Sequence, residues 1–196
     1  MSAKPERKYI SPEEYLALER EALEKHEYFD GEVFLMAGSS NEHNLITSNI
    51  IVSLGSQFKK RNCRVYPPDM RLHIPKTGLF TYPDVMAVCG KPQFLPDANL
   101  DTLTNPILIV EVLSSSTEGY DKGAKFDNYR SFESLREYLL VSHDAKKVIR
   151  YTKQADESWI LMDFIGNKTE IELVSIECTL AMEDIYDKVD FEEQSE

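Results

Sequence analysis

The feature that most limits what this chain can fold into is a seven-residue run, residues 107–113, that is apolar except for Glu111. Such a run is typical of a strand that is buried on both faces of a sheet. Burying an unpaired carboxylate costs several kcal/mol, whereas the whole stability of a domain is only about 5–15 kcal/mol. Glu111 therefore needs compensation, and three forms are open: an Arg or Lys partner, a bound cation, or a raised pKa that keeps the acid neutral.

A second acid, Asp84, stands near the start of another apolar run, residues 82–88. Two carboxylates that converge on one site repel each other unless a cation lies between them. Hard oxygen ligands favour Mg²⁺ or Mn²⁺, and the backbone carbonyl of Val112 is a candidate for a third oxygen ligand. We therefore expect Asp84, Glu111 and the Val112 carbonyl to form a metal site.

Helix and strand signals surround these two runs. Ser11 and Glu14 form a capping box at the start of a helix, and Asp30-Gly31 between two apolar runs predicts a β-hairpin. Residues 41–61 predict a second helix, since Ile46, Ile50, Leu54 and Phe58 recur at every fourth position. Further strands are predicted at residues 63–66, 70–74, 82–89, 106–114, 138–141, 147–151, 159–164 and 171–174, with a helix at residues 117–129.

This order of elements predicts an α/β (α+β) fold. We expect a mixed β-sheet flanked by helices, with an N-terminal helix and hairpin and a C-terminal strand meander. The 196 residues suit one domain, over residues 11–190, between a flexible N-terminus at residues 1–10 and an acidic tail at residues 191–196. No apolar run approaches the roughly 20 residues that cross a bilayer, and we see no signal peptide.

The charge distribution bears on the partner of the chain. The formal net charge is -12, which weakens any general attraction to phosphates. A local basic strip nevertheless follows the second predicted helix and is a candidate for nucleic-acid binding: Lys59, Lys60, Arg61, Arg64 and Arg71. The alternative is that these side chains are a solvated helix end followed by an edge strand.

Cysteine usage indicates the compartment. Cys63, Cys89 and Cys178 are scattered and odd in number, with no CxxC spacing. This pattern favours reduced thiols in the cytoplasm over a disulfide framework or a structural zinc site.

The two acids carry a resemblance to a known signature. Pro83-Asp84, followed 27 positions later by Glu111-Val112-Leu113, looks like the PD-(D/E)XK nuclease motif. The departure is Leu113, which stands where that motif has lysine. Strand alternation would place that lysine beside Glu111, so another residue must provide the amine if the site is complete.

A longer match resembles the Uma-type family of restriction endonucleases. It runs from about Ser11 to Val141 and rests on these segments: Glu27-Tyr28-x-Asp30-Gly31-Glu32, Met36-Ala37-Gly38, His43-Asn44, Glu111-Val112-Leu113-Ser114-x-Ser116-Thr117, Asp121-Lys122-Gly123-x-Lys125, Tyr129 and Arg136 to Val141. The resemblance implies a restriction endonuclease-like core and a metal-dependent nuclease. It also implies a homodimer, because restriction-type nucleases use two-fold symmetry to cut both strands.

The resemblance also assigns roles to individual residues. The missing lysine is expected on the helix, at Lys125, with Lys122 as the second choice, and Asp121 can pair with Lys125 across one turn. Glu27 is an expected accessory acid, although a solvated strand glutamate is the alternative. His43 is an expected contact to phosphate or water, although a capping or partly buried histidine is the alternative. The other histidines, His26, His73 and His143, stand in no recognisable group.

Two functions follow from these patterns. The first is an Mg²⁺-dependent endonuclease that acts on DNA through Asp84, Glu111 and Lys125. The alternative is a nuclease fold that has lost activity and serves as a nucleic-acid-binding or dimerisation module, which Leu113 and the net charge of -12 favour. Nucleotide-binding glycine motifs and the GxSxG nucleophile motif are absent from the sequence.

Overall fold

The computed structural model describes residues 9–97, 99–114 and 118–191. The helices are α1 (Pro12–Glu21), α2 (Asn41–Gln57), α3 (Glu118–Tyr120), α4 (Phe126–Tyr129) and α5 (Met182–Ile185), and a π-helical turn, Asp121–Lys125, joins α3 to α4. The strands are β1 (His26–Phe29), β2 (Glu32–Leu35), β3 (Cys63–Tyr66), β4 (Arg71–Ile74), β5 (Leu79–Thr81), β6 (Val85–Cys89), β7 (Thr102–Leu103), β8 (Leu108–Leu113), β9 (Glu137–Ser142), β10 (Lys147–Lys153), β11 (Trp159–Ile165), β12 (Glu170–Leu173) and β13 (Cys178–Ala181).

A six-stranded mixed sheet, in the order β11-β10-β9-β8-β6-β3, forms the centre of the fold. The apolar run predicted as a doubly buried strand is β8, and each of its six residues is buried. It pairs antiparallel with β6 and parallel with β9. The C-terminal ends of β8 and β9 therefore lie at the same edge of the sheet, next to the start of β6.

The two faces of this sheet are covered by different elements. On one face, the apolar side of α2 packs against alternate residues of β6 and β8, together with the β12–β13 hairpin and α5. On the other face lie residues of β4, β5 and β7, which belong to a second sheet in the order β2-β1-β5-β4-β7, and also Tyr129 of α4. Burial of apolar side chains between these layers is the main stabilising contribution.

The predicted mixed sheet flanked by helices is present, but the strands are divided differently from the expectation. β1, β2, β4 and β5 form the second sheet rather than extending the first. β9, β10 and β11 form the expected C-terminal meander, whereas β12 leaves it and pairs with β13, a strand that the pattern did not indicate. Alternation of apolar residues identifies a strand, but it carries no information about which strand will be its partner.

Several boundaries have local causes. The first helix has the predicted capping box between Ser11 and Glu14. The second helix ends at Gln57, four residues earlier than expected, and Lys60 then adopts a left-handed conformation with φ of 66° that turns the chain. Thr117, the predicted start of the third helix, lies outside the described residues. Ile10, in the segment predicted to be a flexible N-terminus, donates a backbone hydrogen bond of 3.1 Å to the Gly31 carbonyl and so contacts the β1–β2 turn.

The expectation of three free thiols was wrong. Cys63 and Cys89 face each other across the antiparallel β3–β6 pair and form a disulfide, while Cys178 is free and buried. Their separation of 26 residues gives no sign of this pairing, because it is the strand register that brings the two side chains together. Within the three described ranges, no helix combines the length and apolar character that crossing a membrane requires.

Candidate active site

The two acids singled out in the sequence meet at one edge of the six-stranded sheet. The β6–β8 register pairs Val85 with Val110, so Asp84, one residue before β6, faces Glu111. The Asp84 Oδ2 atom accepts a hydrogen bond of 2.7 Å from the Val112 backbone N–H. Because the N–H and C=O of one strand residue point to the same side, the Val112 carbonyl faces the same gap as Asp84. Both carboxylates and this carbonyl therefore surround one space.

Lys125 reaches the same space from the helical segment that follows β8. Its Nζ atom lies 2.9 Å from Glu111 Oε1, 3.6 Å from Glu27 Oε1 and 3.5 Å from Asp121 Oδ1. The π-helical turn places Asp121 and Lys125 inward, and such turns are frequent at functional sites. Leu113, at the position of the motif lysine, is instead buried among apolar side chains on the face of the sheet that β4, β5 and β7 cover.

The ionisation of this cluster is strongly perturbed by burial. Burial raises the pKa of Glu111 to about 8, with further increases from Asp84 and Asp121, while the Lys125 charge and a 2.6 Å hydrogen bond from the Tyr129 hydroxyl lower it. Burial works to lower the pKa of Lys125, but the surrounding carboxylates raise it well above its ordinary value. Lys125 therefore remains a cation in a site that holds more acids than bases.

Glu27 is part of this cluster rather than a solvated strand residue. Its side chain is only 14% exposed. The Oε1 atom accepts a hydrogen bond from the Thr81 hydroxyl, and the Oε2 atom accepts one of 3.3 Å from the Tyr120 hydroxyl. The hairpin strand β1 thus carries an acid to within 3.6 Å of the Lys125 amine.

Two histidines border the site. His43 lies in the first turn of α2, and its Nε2 atom is 3.2 Å from Asp84 Oδ2. His143 follows β9 and lines the same cleft, although the sequence pattern gave it no role. The parallel pairing of β8 with β9 places the residue after β9 close to the end of β8, and that pairing is not visible in the sequence.

These side chains line a cleft with a volume of about 450 Å³. Among the described residues, no group of three His, Cys, Asp or Glu side chains is arranged as a complete metal site. The donors that fit a metal ion are two carboxylates and one carbonyl, and Mg²⁺ commonly binds through one or two carboxylates and keeps several waters. The donor chemistry therefore fits Mg²⁺ or Mn²⁺.

Lys122, the second choice for the motif lysine, lies away from the cluster. It forms an exposed ion pair with Glu118, one turn earlier on the helical segment. It does not appear among the described residues that line the cleft. Of the two lysines, Lys125 is the one that the fold brings to the acids.

The residues of the predicted basic strip are absent from the described residues that line the cleft. Arg71 is 4% exposed and bonds to Tyr82 and Asp101, and Arg61 bonds to backbone carbonyls of Ile176 and Glu177. Arg64 donates a hydrogen bond to the Gly90 carbonyl.

The two lysines of the strip lie far from the cleft. Lys59 and Lys60 are exposed, but they follow the far end of α2, roughly 25 Å along the helix from His43. A cluster of basic residues in the sequence does not show which of their side chains will form hydrogen bonds within the fold.

Comparisons with known proteins agree with this architecture. The family model Uma2, described as "Putative restriction endonuclease", matches residues 12–183. The Synechocystis protein sll1609 is 39% identical over 165 residues, which cover 84% of this chain and 93% of that protein. A second Synechocystis protein, slr1290, is 36% identical over 177 residues, which cover 90% of this chain and 91% of that protein.

A solved structure supports the fold independently of close sequence similarity. The crystal structure titled as a "putative nuclease belonging to DUF820" from Anabaena variabilis superimposes with a TM-score of 0.68 at 18% identity, covering 89% of this chain and 96% of that one. The restriction endonuclease-like core and the predicted family resemblance are thereby confirmed. Since the family model spans most of the sequence, the chain belongs to the Uma2 family.

Proposed function

We propose that this chain is an Mg²⁺-dependent endonuclease that hydrolyses phosphodiester bonds in DNA. The observation that carries this proposal is the convergence of Asp84, Glu111 and Lys125 on one cleft, with the amine 2.9 Å from Glu111. Membership in the Uma2 family and a nuclease-like fold support the same reaction class. We further propose that the chain forms a homodimer, which sedimentation of the purified protein tests.

Asp84, Glu111 and the Val112 carbonyl would hold the metal ion, with Mn²⁺ as a substitute for Mg²⁺. When bound, the ion would polarise the phosphate and lower the pKa of a coordinated water. The His43 imidazole orients the Asp84 carboxylate through their 3.2 Å contact, and the Tyr129 hydroxyl orients Glu111. Both carboxylates are therefore positioned before any ligand arrives.

Lys125 supplies positive charge where a phosphate would lie against the acids. Donors and cations aimed at developing negative charge contribute strongly to catalysis, particularly in a site with little water. Asp121 and Glu27 hold the amine from two sides, which keeps it directed toward Glu111. The helix thus takes over the task that the lysine of the strand motif performs elsewhere.

A second candidate function is a nuclease fold without activity that binds nucleic acid or forms dimers. The net charge of -12 favours it, because few phosphates can be neutralised by such a surface. The location of Lys125 favours the enzyme, since a buried lysine among several acids in a cleft is more typical of a functional site than of a purely structural one.

Cleavage of circular DNA by matched variants tests the enzyme, with a single-stranded circle and a duplex plasmid of the same sequence as substrates. In Mg²⁺ or Mn²⁺, wild type should cut, whereas Asp84→Ala, Glu111→Ala and Lys125→Met should each lose roughly 100-fold or more of the rate. Lys122→Met is the matched control, because this lysine is exposed, pairs with Glu118 and is not among the described residues that line the cleft. Equal cutting by all five proteins would indicate a contaminating nuclease and remove the claim.

Thermal unfolding tests the metal site without relying on activity. A ligand that binds only the folded state raises its stability, by about 2.7 kcal/mol at a hundred times the Kd. Mg²⁺ or Mn²⁺ should therefore raise the Tm of wild type and leave that of Glu111→Ala unchanged. A wild-type Tm that ignores both ions at millimolar concentrations would contradict a site at these residues.

A further inference from the structure

Two exposed aromatic rings border the acid and lysine cluster on the hairpin side of the cleft. Phe34 is 47% exposed and Tyr120 is 40% exposed, and both line the cleft. We call this pair, Phe34 and Tyr120, the aromatic wall. Among the described residues, Phe34 belongs to none of the clusters of buried apolar side chains, so it is not accounted for by packing.

Both rings of the aromatic wall lie next to the same acid, Glu27. Phe34 is the direct cross-strand neighbour of Glu27 in the β1–β2 register, so the two side chains project from the same face of the hairpin. Tyr120 donates its hydroxyl hydrogen to Glu27, and the Lys125 Nζ atom lies 5.8 Å from the Tyr120 ring centre. The wall therefore stands one side chain away from the place where the scissile phosphate would bind.

The charge around the cleft limits how nucleic acid can be held there. Affinity for a duplex depends mainly on Lys and Arg side chains that neutralise phosphates. Lys125 is the one Lys or Arg among the described residues that line the cleft, and three carboxylates already surround it. Phosphate contacts at this site are too few to carry the binding of a long duplex.

Stacking on aromatic rings is the alternative source of affinity. Proteins that bind single strands use aromatic side chains as platforms for successive bases, and this requires bases that are not already stacked inside a helix. The aromatic wall offers such a platform beside the catalytic groups, whereas the bases of an intact duplex could not reach it.

We propose that Phe34 and Tyr120 form a base-stacking subsite, and that the DNA segment held at this site is an unpaired strand rather than an intact duplex. The inference rests on the proposed nuclease function and specifies its substrate class. Phe34 would stack on a base adjacent to the phosphate that faces Lys125, and Tyr120 would support the same base or its neighbour.

Binding measured by fluorescence anisotropy tests the subsite separately from cleavage. The probe is a fluorescein-labelled DNA strand of about 12 nucleotides, compared with the duplex of the same length, in Ca²⁺ in place of Mg²⁺. Wild type should bind the single strand at least roughly tenfold more tightly than the duplex. Phe34→Ala should weaken single-strand binding by roughly five- to a hundredfold, and Phe34→Trp should retain it.

Phe29→Ala is the matched control. It is a phenylalanine of the same hairpin with similar exposure, 41%, but it does not line the cleft, and its removal should leave single-strand affinity unchanged. A strand carrying 2-aminopurine between abasic neighbours should also lose fluorescence on binding wild type and Phe34→Trp but not Phe34→Ala, because stacking on an aromatic ring quenches this base.

The outcomes separate this inference from the proposed function. Tighter binding of the duplex, or an unchanged affinity in Phe34→Ala, would overturn the stacking subsite while leaving metal-dependent cleavage intact. Equal losses in the two alanine variants would overturn it too, since they would indicate damage to the hairpin rather than a lost platform. Absence of binding to either DNA would overturn both proposals.

Discussion

Glu111 shows how one buried carboxyl links the site to folding. The sequence left three ways to compensate its burial, and the structure combines two of them: the Lys125 amine lies 2.9 Å from the carboxyl, and burial raises the pKa of that carboxyl to about 8. The presence of an acid in an apolar strand was sufficient to predict that it has a partner. The identity of that partner depended on where the following helix lies.

The raised pKa of Glu111 should make the free energy of unfolding decrease as pH rises. The folded state holds the Glu111 proton up to a pKa of about 8, whereas the ordinary value is 4.5, so the contribution is full below the lower value and is lost as pH rises through the higher one. Urea unfolding in EDTA should show a decline of up to about 1.4 kcal/mol per pH unit between these limits. Glu111→Gln, which cannot titrate, should flatten the decline, and parallel curves for the two proteins would contradict the assignment.

The β1–β2 hairpin is the element that carries Glu27 and Phe34 to the cleft. Its turn places Gly31 at a φ of 82°, a left-handed conformation that the Asp-Gly pair in the sequence predicted. The structure adds a contact that the turn signal did not indicate: a Cβ at Gly31 would lie 2.1 Å from the Tyr9 ring. The turn of the hairpin thus packs closely against a residue that precedes the first helix.

Substitution at this turn should be more damaging than at a comparable glycine. Gly31→Ala should cost about 1–2 kcal/mol for the left-handed backbone, and more because the Tyr9 ring must move. Gly78→Ala is the control, since Gly78 has a similar φ of 76° but nothing within 4 Å of its added Cβ. Urea unfolding should rank Gly31→Ala as the less stable variant, and equal losses would argue against the Tyr9 contact.

At the scale of the whole molecule, the Cys63–Cys89 disulfide connects the edge strand β3 to β6, the strand that follows Asp84. A cross-link over 26 residues restricts the unfolded chain and stabilises the fold by about 3–4 kcal/mol. Reductant should therefore lower the Tm of wild type by roughly 5–15 °C and leave a Cys63→Ala/Cys89→Ala double variant unaffected.

Calorimetry with and without reductant measures this effect, and the double variant reports any action of the reductant elsewhere. Mass spectrometry of the untreated protein should find one free thiol, at Cys178. Three free thiols in the untreated protein, with a Tm indifferent to reductant, would contradict the cross-link and return the cysteines to the reduced state that their spacing suggested.

The sequence by itself determined features that depend on near neighbours in the chain: the capping box at Ser11, the Asp30-Gly31 turn, the apolar face of α2, and the doubly buried strand with an acid that needs a partner. Each follows from helix or strand periodicity, or from the cost of burying charge, and needs no knowledge of the rest of the fold.

Only the tertiary structure decided which distant groups meet. It selected Lys125 over Lys122, brought His143 to the cleft, joined Cys63 to Cys89, and used Arg61 and Arg71 internally rather than on a basic surface. These outcomes depend on strand register and on the packing of separate elements. The residues concerned are far apart in the chain, so local sequence patterns carry no record of their contacts.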